Sequence, residues 1–144
     1  MENLFIKPFK ILVVESDRRL YKKLSSCFSK SGFDYRIYSG INHIVPLVLG
    51  FQPDLVLLEY LSPVVNGGEL CIQIKENQLT QHIPVVIYSA FPSQILSLGA
   101  YGHDGFIAKP FELTDLVKRI DDFLMQYWSD KKRTTNTLIS SGCN

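Results

Sequence analysis

Residues 54–68 read DLVLLEYLSPVVNGG, and the order of residue types in this stretch decides the fold. Leu55 to Leu58 form an unbroken apolar run of strand length, the pattern of a strand covered on both faces of a sheet. The run stops on a carboxylate, Glu59. A proline, an asparagine and two glycines follow, which forbids a regular element and sets a loop before the next helix. Buried strand, charged terminus, turn and helix make up one half of a crossover unit.

The same grammar holds outward in both directions. KILVVES, from Lys10, is a second buried strand. Ser16 or Asp17 then caps a helix whose inward stripe is Leu20, Leu24, Cys27 and Phe28, and Gly32 stops it. Phe33, Tyr35 and Ile37 alternate with Asp34 and Arg36 as a short strand with one face less buried. Ile41, Ile44, Val45, Val48 and Leu49 recur at helical spacing, with Pro46 delaying or bending that helix. Beyond the loop a helix spans about Gly68 to Asn77, and Pro84 introduces VVIYSA as the fourth strand. A short helical stretch after Pro92 carries Ile95, Leu96 and Leu98, and FIA before Lys109 is the fifth strand. Glu112 to Trp128 closes the series. Its stripe of Leu113, Leu116, Val117, Ile120, Phe123, Leu124 and Tyr127 lies opposite Asp115, Lys118, Arg119 and Asp122.

Five strands alternating with five helices predict an α/β domain, a five-stranded parallel sheet with helices on both faces. In such a sheet the reactive groups gather at the carboxyl ends of the strands. The expected organisation is an N-terminal extension over 1–9, the domain over 10–128, and a polar, mobile tail over 129–144. That tail shows no periodic apolar stripe and is too short for an attached domain.

Composition narrows the function classes. The chain of 144 residues is 46% hydrophobic and 20% charged, enough to bury a core unaided. A formal net charge of +1 argues against a dedicated nucleic-acid binder, and the short run Lys131, Lys132, Arg133 is a solvated surface. No apolar run approaches the ~20 residues of a membrane span. Cys27, Cys71 and Cys143 form no disulfide framework and no metal-ligand spacing, and Cys27 and Cys71 read as core fillers. These features point to a cytoplasmic protein with no membrane partner. The aromatics Tyr101, Phe106, Tyr127 and Trp128 are candidates for an exposed partner surface.

The strand ends carry Glu15, Ser16 and Asp17 after the first, Glu59 after the third, Ser89 after the fourth and Lys109 after the fifth. In order and context, PDLVLLEYLSPVVNGGEL, IPVVIYSA and GFIAKPF resemble the receiver domains of two-component response regulators over roughly residues 10–128. The resemblance implies the flavodoxin-like (βα)5 receiver fold, of which CheY-like proteins are examples, and a cis Lys109–Pro110 bond. In that family an acidic pair and an aspartate hold Mg²⁺, and the aspartate accepts a phosphoryl group. A Ser or Thr and a Lys contact the phosphoryl oxygens. Carried over by position, Ser89 and Lys109 match, Glu15 and Ser16 stand at the acidic pair, Glu59 replaces the acceptor, and Phe106 takes the switch-aromatic position, where it can only pack.

These departures carry physical consequences. Glu59 moves its oxygens outward by about one carbon–carbon bond, which phosphoryl-transfer geometry tolerates poorly. The longer arm is expected to reach Lys109 in a charge-assisted hydrogen bond and so to occupy part of the phosphoryl position. Ser16 removes one charge from the metal site, leaving at most a weak Mg²⁺ site from Glu15, Asp17 and Glu59, and no cofactor is required. The expected protein is a stand-alone, atypical receiver-like module that is not an enzyme and acts through protein contacts. Partners implied by the resemblance are a histidine kinase or an output protein on the face of the fourth helix, fifth strand and fifth helix, and a homodimer is compatible with it. One rival is a conventional receiver that accepts phosphate from a histidine kinase with Mg²⁺. A flavin or nucleotide binder of similar topology is disfavoured because VVESDRRL has no glycine to cradle a phosphate.

Overall fold

The computed structural model describes residues 8–90 and 101–143, with side chains described as far as Trp128. Five parallel strands, β1 (Lys10–Val14), β2 (Asp34–Tyr38), β3 (Leu55–Glu59), β4 (Val85–Ser89) and β5 (Gly105–Ala108), form one sheet in the order β2-β1-β3-β4-β5. Every residue of β3 and β4 is buried, as their unbroken apolar runs require, whereas the edge strands β2 and β5 stay partly open.

Four helices are described: α1 (Arg18–Lys30), α2 (Val45–Phe51), α3 (Gly67–Glu76) and α4 (Leu113–Cys143). Alternating strand residues divide the core into two layers. Ile11, Val13, Leu57 and Tyr88 face Leu24 and Phe28 of α1 and Leu116, Ile120 and Leu124 of α4. Leu12, Val14, Val56, Leu58 and Ile87 face Val48 and Phe51 of α2 and Leu70, Cys71 and Ile74 of α3. The doubly wound α/β reading is therefore correct. The helical stretch expected after Pro92 falls outside the described residues.

Of the two effects expected of Pro46, the structure shows the delay: α2 begins at Val45 and Pro46 sits in its first turn, where a missing N–H costs no helical bond. One detail of the sequence reading changes. The polar stretch from Ser129, read as a tail without an element, continues α4 to Cys143. No glycine or proline interrupts the chain between Glu112 and Gly142, so nothing local stops the hydrogen-bond ladder once the amphipathic part has nucleated it.

The loop after β3 is fixed by one close approach. The Gly67 amide donates to the Tyr60 carbonyl at 2.8 Å. A Cβ on Gly67 would lie 2.6 Å from the Glu59 carbonyl oxygen and 2.9 Å from Tyr60 Cα, both backbone atoms that cannot step aside. Gly67→Ala is expected to destabilise the fold by about 1–3 kcal/mol, measured by urea denaturation.

Candidate functional site

All five strands run the same way, so their carboxyl ends share one edge, and the change of winding direction falls between β1 and β3. At that edge Glu15 follows β1, Glu59 ends β3, Ser89 ends β4 and Lys109 follows β5. Parallel register holds them together: Glu59 pairs with Tyr88, and Ser89 pairs with Ala108. The Lys109 amide donates to the Ser89 carbonyl at 2.8 Å, which ties the turn after β5 to the end of β4. The Lys109–Pro110 bond is cis.

The expected reach of Glu59 is present. Its Oε2 lies 2.5 Å from Lys109 Nζ, and its Oε1 accepts from the Leu61 amide at 3.1 Å. Oε2 has no aligned hydrogen bond, so the contact is a close ion pair off the hydrogen-bonding axis. Glu59 is only 6% exposed, so this pair works in a medium where charge attraction is strong and loss of a partner is costly.

Glu15 is 3% exposed and shares the same lysine, with Oε1 3.5 Å from Lys109 Nζ. Its remaining valences go to neutral donors. Oε2 accepts from the backbone amides of Ser16 and Asp17, each at 3.0 Å, and Oε1 accepts from the Tyr88 hydroxyl at 2.6 Å. Tyr88 is fully buried; its ring lies edge-on to Phe111 and under Lys109 Nζ, 4.9 Å from the ring centroid. Burial first, and then the Glu15 carboxylate, push the Tyr88 phenol well above the ordinary tyrosine range, so it remains a donor.

Tyr88 is the site residue that the sequence reading missed. The signal was available: a lone phenol inside VVIYS, a strand predicted to be buried, needs a partner for its hydroxyl. Glu15, Glu59 and Lys109 are brought together as expected, and Ser89 is fully buried at the end of β4 beside them. Phe106 packs half-buried against the layer over α2 and α3. The proposed cation ligands are not assembled. Asp17 is the N-cap of α1, its Oδ1 accepting from Arg19 N at 2.8 Å and Leu20 N at 3.4 Å, and it points into the helix terminus. Among the described residues no group of three His, Cys, Asp or Glu is placed to hold a metal ion. With Glu15 saturated, Ser16 uncharged and Asp17 engaged as a cap, the residues as arranged do not fit Mg²⁺.

The aromatic surface expected in the C-terminal half is also revised. Tyr101 and Phe106 are half-buried against the core. Trp128 Nε1 donates to the Asp54 carbonyl at 2.7 Å, and the Tyr127 hydroxyl donates to the His82 carbonyl, both ahead of strand starts and away from the site. Each ring spends its polar handle inside the domain. Cys71 is buried as a core filler, and burial pushes its thiol up to about 12.

Hydrogen bonds from the α1 backbone lower the Asp17 carboxyl below its ordinary value of 3.8. A lowered native value means that the cap's contribution is complete above 3.8 and is lost as pH falls through the native value. Wild type should therefore lose stability relative to Asp17→Asn as pH drops below 3.8, in paired urea titrations across the acid range. Lys109→Met, which leaves two buried carboxylates without their ammonium, should cost about 3 kcal/mol. This is the low end for a buried pair, because the lysine side chain keeps 23% exposure. Glu59→Gln in the same background should recover part of that loss, giving a non-additive double-mutant cycle.

Comparison with known proteins adds to this geometry. A family model described as the response regulator receiver domain matches residues 11–121. The fold is similar to that of a protein described as a response regulator from Chloroflexus aurantiacus, with a TM-score of 0.73, 26% identity, and coverage of 82% of this chain and 98% of that one. It is also similar to a CheY-like receiver domain protein from Methanospirillum hungatei, with a TM-score of 0.74, 19% identity, and coverage of 85% and 98%. A third similar structure is the receiver domain of a signal transduction histidine kinase from Syntrophus aciditrophicus, with a TM-score of 0.71, 23% identity, and coverage of 82% and 91%.

Proposed function

This chain belongs to the response regulator receiver domain family of two-component signalling, and from that premise we propose that it is an atypical member which signals without the Mg²⁺-dependent phosphorylation cycle. The observation that carries this reading is the 2.5 Å contact between Glu59 Oε2 and Lys109 Nζ. The ammonium that family members direct at an incoming phosphoryl oxygen is already neutralised by the residue at the acceptor position. A donor phosphorus would have to break that ion pair and meet an acceptor oxygen displaced by one methylene. Both requirements raise the barrier to in-line attack.

The paired carboxylate engages the lysine but supplies one negative charge and two oxygens, fewer than a phosphoryl group. The state is thus a fixed ion pair whose output is constant, and the module acts through protein contacts and not as an enzyme. The face built from β5 and α4 is the proposed surface for an output protein or a histidine kinase. Incubation with a small acyl phosphate and Mg²⁺, followed by intact-mass measurement, should add no phosphoryl mass to the chain. A stoichiometric adduct mapped to Glu59 overturns the reading.

A further inference from the structure

Two buried carboxylates meet one ammonium at the strand ends, which leaves an excess negative charge in a pocket with little solvent. An uncompensated buried charge is costly, so something must supply positive potential. In this chain the compensation is a set of neutral donors. The amides of Ser16, Asp17 and Leu61 take three positions, and the Tyr88 hydroxyl takes the fourth, at 2.6 Å the shortest of them.

The amides come with the backbone turns after β1 and β3. Tyr88 does not; it is a side-chain choice on β4, and it reaches across β3 to a carboxylate 73 residues away in sequence. Its hydroxyl also stands 3.4 Å from the Val14 carbonyl oxygen, so the phenol oxygen lies against the end of β1. The Glu15 oxygen that it occupies is the one facing Lys109.

We propose that the Tyr88 hydroxyl does at Glu15 the electrostatic work that a divalent cation does in metal-binding relatives, and that it thereby closes this acidic pocket to metal. Tyr88 is a positioning residue acting through Glu15. Its proton lowers the negative potential at Oε1, fixes the carboxylate rotamer, and removes the lone pair that a hard cation needs. Cation uptake at Glu15 therefore requires the phenol to exchange a 2.6 Å bond to a carboxylate for the neutral Val14 carbonyl at 3.4 Å, a longer and weaker hydrogen bond. The inference deepens the proposed function, because it gives a physical reason for independence from Mg²⁺ other than the altered acceptor.

The test is Mn²⁺ titration of the full chain, followed by the loss of the free-ion electron paramagnetic resonance signal. Tyr88→Phe keeps the ring and its edge contact with Phe111 while deleting the hydroxyl. It should bind one Mn²⁺ about tenfold or more tighter than wild type, and Tyr88→Phe with Glu15→Gln should abolish the gain. Equal Mn²⁺ affinity in wild type and Tyr88→Phe, or a gain that survives Glu15→Gln, overturns the proposal. Should Tyr88→Phe fail to fold by circular dichroism, the wild type decides the matter by NMR. Its Tyr88 hydroxyl proton should be observable and unshifted by millimolar Mg²⁺, and a Mg²⁺-dependent shift or loss of that signal overturns the proposal. Metal uptake by wild type without a phosphoryl adduct sinks this inference alone, whereas an adduct sinks the functional reading on which it rests.

Discussion

One ammonium stands between two buried carboxylates, and the arrangement of the sheet edge follows from that imbalance. Lys109 reaches Glu59 at 2.5 Å and Glu15 at 3.5 Å, on a side chain that is itself only partly exposed. In water such a trio would be a weak association. At the end of a parallel sheet, with both carboxylates nearly removed from solvent, every unsatisfied oxygen carries a large desolvation cost. The surrounding backbone meets part of that cost, and Glu59 Oε2 is left to its ion pair with Lys109. The turn after β1 aims two amides at Glu15, and the turn after β3 aims one at Glu59.

That constraint links packing to function. A receiver acts as a switch when an incoming charge changes what its lysine and hydroxyl residues contact. Here the lysine is already engaged by a carboxylate belonging to the chain, and the carboxylate partner across the pocket is held by a phenol whose ring supports the same lysine. A pair that is satisfied at rest has little differential free energy to offer an added group, and a switch can shift only by the differential affinity available to it. On the proposed reading, the architecture of a phosphorylation site is retained while the reason for its conformational change is weakened.

The fold was open to reading because its signals are local. Five strand-length runs, three of them buried and two partly open, each followed by polar residues, and amphipathic helices between them leave few alternatives once crossover handedness is imposed. The reach of Glu59 to Lys109 was legible for a related reason: one added methylene has a predictable direction when both residues stand at the carboxyl ends of strands in one parallel sheet, β3 and β5 flanking β4. Asp17 was read both as a candidate cap of the first helix and as a cation ligand, because residue type and position permit either role, and the structure makes it the cap. Two free amides at the start of α1 were nearer, and a carboxylate satisfies the closest donors first. Tyr127 and Trp128 looked like partner-binding aromatics, but their polar atoms find carbonyls at His82 and Asp54, contacts with no local trace in the sequence.

By itself the sequence determined the element order, the parallel sheet and the identity of the charged residues at its carboxyl edge, because periodicity and capping act over a few residues. Tertiary structure alone decided how those charges are satisfied. Tyr88 meets Glu15 across a strand that belongs to neither of them, and such a contact depends on sheet order, side-chain length and burial together. Hydrogen bonds in a low-dielectric pocket are chosen by distance in space, which a linear pattern of residue types does not encode.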